Sequence, residues 1–87
     1  MTMRKKAKVC ADVDGLHKGD SFDWDNPSKS DCEITKCKPP LAQNSYHVPA
    51  GKSTPANVDP NAPLGTYPYE CKCGQLRTTP KIIIGSD

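Results

Sequence analysis

The chain has 87 residues, of which 34% are hydrophobic and 6% aromatic, so we expect one small domain with little material for a core and no second domain. A core of this size gives marginal stability unless crosslinks help, and the five cysteines are the candidates for such crosslinks. The net charge of +2 gives no electrostatic case for a nucleic-acid partner, and no apolar stretch is long enough to span a membrane.

Nine prolines interrupt almost every window that is long enough for a helix, so the chain is predicted to be all-β. We expect a flexible tail over residues 1–5 and a single domain over residues 6–87. Alternating small apolar residues predict a first strand over 7–13, which ends at a turn at Asp14 and Gly15 and directs Cys10 away from the core. Phe22 and Trp24 mark a second strand.

A third strand over residues 31–37 places Cys32 and Ile34 on one face, with Cys37 facing outward. In the next strand, residues 45–48, His47 is predicted to lie at the surface. The proline-rich segment 52–64 is predicted to be a surface connection with at most one short strand, around 56–58.

Residues 65–73 have the clearest alternation in the chain, a loop is predicted over 74–79, and residues 81–84 form a closing apolar strand. One face of 65–73 carries Tyr67, Tyr69, Cys71 and Cys73. Six or seven short strands in total predict a two-sheet sandwich or a small barrel.

Four segments of the chain carry a family resemblance. They are GDSFDWDN at 19–26, YHVPAGK at 46–52, GTYPYEC at 65–71 and PKIII at 80–84. In this order they resemble the cupredoxins, the small Greek-key sandwiches that carry blue copper. The resemblance extends over about residues 6–85, and it implies a cupredoxin-like Greek-key β-sandwich.

The resemblance also implies a ligand set of two histidines, one cysteine and a weak axial methionine. Cys71 stands at the position of the thiolate ligand, and the first histidine falls at or beside Cys32. No histidine or methionine follows Cys71, and His17 and His47 lie in a predicted loop and at an outward strand position. The ligand set is therefore degenerate, and we expect no blue-copper site.

If the resemblance holds, Cys32, Cys71 and Cys73 converge at the mouth of the sandwich. Two interpretations remain open besides free buried thiols. The first is a disulfide between Cys32 and either Cys71 or Cys73, and the second is a thiolate site for copper, as Cu(I), or zinc that uses all three cysteines.

Cys10 and Cys37 are predicted to face outward, and the resemblance implies that their strands are neighbours in the sheet. They are candidates for a second disulfide or for two partly buried small residues. With five cysteines, two disulfides leave one unpaired thiol in a monomer. That thiol is predicted to be a metal ligand, a redox-sensitive group or an intermolecular link.

We expect no enzyme, because neither histidine lies in a context that activates a nucleophile. The acidic residues of the first two strands lack the spacing of a calcium loop.

The predicted function is a monomeric binding or structural module stabilised by disulfides, with an unknown partner. The alternative is a thiolate metal-binding protein for transport, storage or sensing. Disulfides would favour a periplasmic or secreted location, although the chain as given does not begin with a signal peptide.

Overall fold

The computed structural model describes residues 5–85, which form ten short strands and no helix, so the prediction of an all-β fold is confirmed. In chain order the strands are β1 (Lys5–Lys8), β2 (Val13–Leu16), β3 (Ser21–Asp25), β4 (Cys32–Thr35), β5 (Ser45–Val48), β6 (Ser53–Asn57), β7 (Gly65–Pro68), β8 (Glu70–Cys73), β9 (Leu76–Thr78) and β10 (Lys81–Ile84). Nothing in this part of the chain meets the length and apolarity that a membrane-crossing helix requires. Of the predicted tail, residues 1–4 lie outside the described residues, and Lys5 begins β1.

The strands form three sheets, with the orders β1-β3-β6, β2-β10-β7 and β5-β4-β8-β9. The third sheet is antiparallel throughout, whereas β1 lies parallel to β3 and β2 parallel to β10. The described residues therefore contain more strands and more sheets than the six or seven strands and two sheets expected. The reason is that two predicted strands are each divided, and a predicted loop contains a strand.

The first predicted strand is divided at Cys10, whose φ is 59°. This left-handed conformation ends the extended backbone, so β1 pairs in one sheet and β2 in another. The turn predicted at Asp14 and Gly15 is wrong, because both residues lie inside β2. Gly15 has a φ of 76°, and the register with β10 shifts around it, so the strand carries a β-bulge at this position.

The segment 65–73 is divided at Tyr69, which lies between β7 and β8. The backbone N–H of Tyr69 donates to the carbonyl of Pro80. The predicted alternation survives this break, because Tyr69 and Cys71 are buried and Tyr67 and Cys73 are partly buried. The loop predicted over 74–79 is wrong, because β9 forms there and pairs with β8.

The segment 52–64 contributes more to the fold than a surface connection does. It contains β6, which pairs along its whole length with β3. Ala56, Val58 and Ala62 are each no more than 2% exposed. Ala56 and Val58 thus face the core at a spacing of two residues, and the high proline content concealed this pattern.

The core is built around the aromatic side chains Phe22, Trp24 and Tyr69, all at most 1% exposed. The ring centroids of Phe22 and Trp24 lie 5.2 Å apart, and those of Trp24 and Tyr69 lie 5.4 Å apart. Aliphatic residues from all three sheets pack into the same cluster. Four of the five cysteines lie in or against the part of this core that β4 and β8 contribute, and the fifth, Cys37, is buried in the same core just beyond the end of β4.

Candidate functional site

The pairing of β4 with β8 places the cysteines of these strands side by side. In the antiparallel register, Cys32 lies opposite Cys73, and Ile34 lies opposite Cys71. Because directly opposite residues point to the same face of a sheet, all four side chains project towards the core. Cys32 and Cys71 are 0% exposed, whereas Cys73, at the end of β8, is partly exposed.

Two disulfides connect these strands. Cys32 is bonded to Cys73, with their Cα atoms 4.1 Å apart, which is one of the two pairings predicted for Cys32. Cys71 is bonded to Cys10, with a Cα–Cα distance of 5.2 Å. The three cysteines that were predicted to converge do so, and Cys10 joins them as a fourth.

The predicted outward orientation of Cys10, and with it the disulfide to Cys37, is wrong. Cys10 packs against the core cluster and lies in the turn that follows β1. Its positive φ turns the chain out of the regular alternation on which the prediction was based. A non-glycine residue rarely adopts this conformation, so no sequence signal marks the change of direction.

Cys37 is the unpaired thiol, and it is buried rather than outward. Strand β4 ends at Thr35, and the positive φ of Lys36 interrupts the alternation before Cys37 is reached. The thiol donates a hydrogen bond to the carbonyl of Gln43, with an Sγ to O distance of 3.1 Å. Burial raises the pKa of the Cys37 thiol to about 11. A thiol that is both buried and protonated does not suit a metal ligand, a redox-sensitive group or an intermolecular link.

The sulfur atoms of the two disulfides form one cluster. The Sγ atom of Cys73 lies 3.3 Å from that of Cys10 and 3.9 Å from that of Cys71. The three sulfur atoms all lie within 4.8 Å of one another, which is close enough for them to hold one metal ion. Each of them is part of a disulfide, however, and the thiolate is the form of cysteine that binds metals. The cluster could therefore bind a metal ion only after both disulfides are reduced.

A polar loop that follows β3 borders the cluster. Asn26 is 0% exposed, and its Nδ2 donates to the carbonyls of Ser30 and Val48 at 2.8 and 3.0 Å. Its Oδ1 accepts from the hydroxyl of Ser28 at 2.7 Å. The loop held in this way brings the Ser30 carbonyl to 3.7 Å from the Sγ of Cys32. The sequence does not reveal this role of Asn26, because asparagine is also a common residue of exposed turns.

The two histidines lie outside the sulfur cluster. His47 is exposed on β5, as predicted, and its Nδ1 contacts the Oε1 of Glu33 on β4. The hydrogen bond to Glu33, together with the charge of that carboxylate, raises the pKa of His47. The Nδ1 of His17 lies 3.1 Å from the carbonyl of Gly85. Within residues 5–85, no group of three or more candidate metal ligands includes either histidine.

No protein-family model, curated protein or solved structure matches the chain.

Proposed function

We propose that the protein is a small, monomeric, cupredoxin-like binding or structural module that has no blue-copper site and no enzymatic activity. The observation that carries this proposal is that Cys71, which the resemblance places at the thiolate position, is bonded to Cys10. A disulfide sulfur has no thiolate charge with which to bind Cu(II). The two histidines, which a blue-copper site would also require, are held by Glu33 and by the carbonyl of Gly85.

The order of the segments supports the cupredoxin-like part of the proposal. The segments that carry the resemblance overlap β3, β5, the pair β7 and β8, and β10, so each of them contains all or part of a strand. Two disulfides also favour a periplasmic or secreted location, because such bonds persist in oxidising compartments.

The experiment that tests this function is a thiol count in denaturant without reductant, made together with elemental analysis of protein purified without added metal. We expect one free thiol per chain, that of Cys37, and no bound metal. Addition of Cu(II) to the folded protein is expected to produce no intense visible absorption band. Three or more free thiols with about one metal ion per chain, or an intense blue colour with Cu(II), would contradict the proposal.

A second candidate function, a thiolate site for Cu(I) or Zn(II), is favoured by the sulfur atoms of Cys10, Cys71 and Cys73, which lie within 4.8 Å of one another. This group contains Cys10 instead of Cys32, which was predicted as the third ligand. Three thiolates suit these soft metals, but the site requires that both disulfides be reduced. Titration of the fully reduced chain with Zn(II) tests this function. Binding of about one ion per chain, lost in Cys71→Ser and kept in Cys37→Ser, would support it. Absence of binding would leave only the first function.

A further inference from the structure

The sulfur atom of Cys73 lies at the centre of the cluster. It is bonded to Cys32 and lies 3.3 Å from the Sγ of Cys10, which belongs to the other disulfide. The two disulfides are therefore neighbours in direct contact, and a thiolate formed at Cys10 would have a disulfide sulfur beside it. Thiol–disulfide exchange proceeds by just such an attack of a thiolate on a disulfide sulfur.

Exposure decides where a reagent from solvent can enter. Cys32 and Cys71 are 0% exposed, whereas Cys10 and Cys73 are both partly exposed. Each disulfide thus joins one partly exposed cysteine to one buried cysteine. Because exchange requires access to the sulfur that is attacked, we expect an external thiol to attack at Cys10 or Cys73, and such an attack would release the buried partner.

Cys10 is better placed than Cys71 to attack Cys73. The Sγ of Cys71 is 3.9 Å from that of Cys73, but the two residues are only two positions apart on the same strand. Extended backbone separates the Cα atoms of such residues by about 6.6–6.8 Å. This distance is at the upper limit of the range that a disulfide bridges. Cys10 comes from a separate turn and is free of this restriction.

The buried cysteine that would be released also has a polar neighbour. The Sγ of Cys32 lies 3.7 Å from the carbonyl oxygen of Ser30 and 4.0 Å from the hydroxyl of Ser28. A thiol formed at Cys32 could donate to the Ser30 carbonyl after a small shift. The loop ordered by Asn26 therefore accommodates the product of exchange as well as the disulfide.

We propose that Cys10 and Cys73 form a thiol–disulfide exchange site. When an external dithiol reduces the Cys10–Cys71 bond, exchange at this site releases the buried Cys32 as a thiol. The dithiol first attacks Cys10, which releases Cys71 as a thiolate, and its second thiol then releases Cys10 and leaves the reductant as a cyclic disulfide. The Cys10 thiolate attacks the Sγ of Cys73, so the Cys10–Cys73 bond forms and the Cys32–Cys73 bond breaks. Its electron pair passes to Cys32, which takes up a proton from solvent.

The products are one disulfide between the two partly exposed cysteines and two buried thiols, at Cys32 and Cys71. The dithiol supplies both electrons, and the internal step is an exchange without net oxidation or reduction. This reactivity goes beyond the proposed function, because a purely structural pair of disulfides does not need contact between the two bonds.

The wild-type chain provides the first test. The folded protein is treated with one equivalent of dithiothreitol at pH 8, quenched with acid, alkylated in denaturant at mildly acidic pH, and mapped by mass spectrometry. We expect at least a tenth of the chains that lost one disulfide to contain a Cys10–Cys73 bond with alkylated Cys32 and Cys71. Cys37 is alkylated in every chain. If, apart from Cys37, these chains are alkylated only as the original pairs, Cys10 with Cys71 or Cys32 with Cys73, the proposal is overturned.

Two variants in a Cys37→Ser background separate Cys10 from Cys71 as the attacking residue. After folding under oxidising conditions and the same alkylation, Cys71→Ser is expected to carry label on both Cys10 and Cys32. Cys10→Ser, handled identically, is expected to carry label on Cys71 alone. Label confined to Cys10 in Cys71→Ser, or equal labelling of Cys32 in the two variants, would contradict the proposal. Because the first test uses the unmodified protein, a variant that does not fold leaves the proposal testable.

Discussion

Cys37 shows how burial determines the chemistry of a single residue. Its thiol has no disulfide partner, and the side chain is 0% exposed with a hydrogen bond to the Gln43 carbonyl. Removal from water disfavours the thiolate, which raises the pKa of Cys37 to about 11. The residue therefore behaves as a small apolar side chain, although its position in a cysteine-rich sequence indicated a reactive group.

The raised pKa of Cys37 predicts a loss of stability at high pH. Since its thiol ionises more readily in the unfolded chain, the stabilisation is complete below the unfolded pKa and is lost as the pH rises towards about 11. We expect the free energy of unfolding of the wild type to fall by about 2 kcal/mol more than that of Cys37→Ala between pH 8 and pH 10.5. Urea denaturation at both pH values measures the difference, and parallel curves would refute it.

His47 is the second residue whose environment shifts its pKa. It lies directly opposite Glu33 in the pairing of β5 with β4, and both side chains are exposed. Because the pKa of His47 is raised, its interaction with Glu33 stabilises the fold fully at pH values below the ordinary histidine pKa of about 6.5. This stabilisation is lost as the pH rises through the pKa that His47 has in the folded protein.

Replacement of Glu33 by Gln is expected to lower the pKa of His47, because the replacement removes the carboxylate that favours the imidazolium. Any difference in melting temperature between the wild type and Glu33→Gln should be larger at pH 6 than at pH 9. Titration of the His47 ring protons by NMR measures the pKa directly. An unchanged midpoint in the variant would show that Glu33 does not influence His47 in solution.

At the scale of elements, β2 shows how one glycine allows a strand to accommodate an extra residue. Val13 lies opposite Ile82, and Leu16 lies opposite Ile84, so β2 uses one more residue than β10 between these pairs. Gly15, with its φ of 76°, provides the left-handed backbone that the bulge requires. As a result both Val13 and Leu16 face the core, at 6% and 2% exposure.

Gly15→Ala is therefore expected to lower the free energy of unfolding by about 1 kcal/mol, the cost of a left-handed conformation for a residue with a Cβ atom. A Cβ at Gly15 would meet nothing within 4 Å, so the backbone alone accounts for this cost. Gly85→Ala is the control, because Gly85 also has open space around it and no positive φ. Equal stabilities of the two variants in urea would contradict the interpretation.

At the scale of the whole molecule, the Cys10–Cys71 disulfide connects the three sheets. Cys10 lies between β1 of the first sheet and β2 of the second, and Cys71 lies on β8 of the third. The Cys32–Cys73 disulfide, in contrast, joins two strands that already pair within one sheet. The first bond therefore holds the layers of the fold together, and the second reinforces a single ladder.

Removal of either disulfide by a double Cys→Ser substitution is expected to cost about 4 kcal/mol, since each bond closes a long loop in the unfolded chain. Because the two loops overlap, the loss of both bonds should cost less than the sum of the two. Cys37→Ser, which breaks no disulfide, serves as the control. The measurement is urea denaturation without reductant, and a cost below about 1 kcal/mol for each pair would contradict a stabilising role.

The strands were predictable where the alternation of apolar residues was regular. Cys32 and Ile34 on β4 share the core face, and His47 on β5 is exposed, as their spacing indicated. The prediction of the sulfur cluster was partly correct, and it combined this alternation with the family resemblance, which implied that the strands of Cys32, Cys71 and Cys73 converge. It missed Cys10, since a positive φ at that residue reverses the face and leaves no mark in the sequence.

Local pattern was sufficient to determine that this chain is all-β and that Cys32, Cys71 and Cys73 lie on the core faces of their strands. Prolines exclude helices wherever they occur, and period-two alternation acts over a few residues at a time. The tertiary structure alone decided which cysteines are bonded and which thiol is free. Those outcomes depend on where β1 and β4 end and on which strands pair, and both are set by contacts between residues that are distant in the sequence.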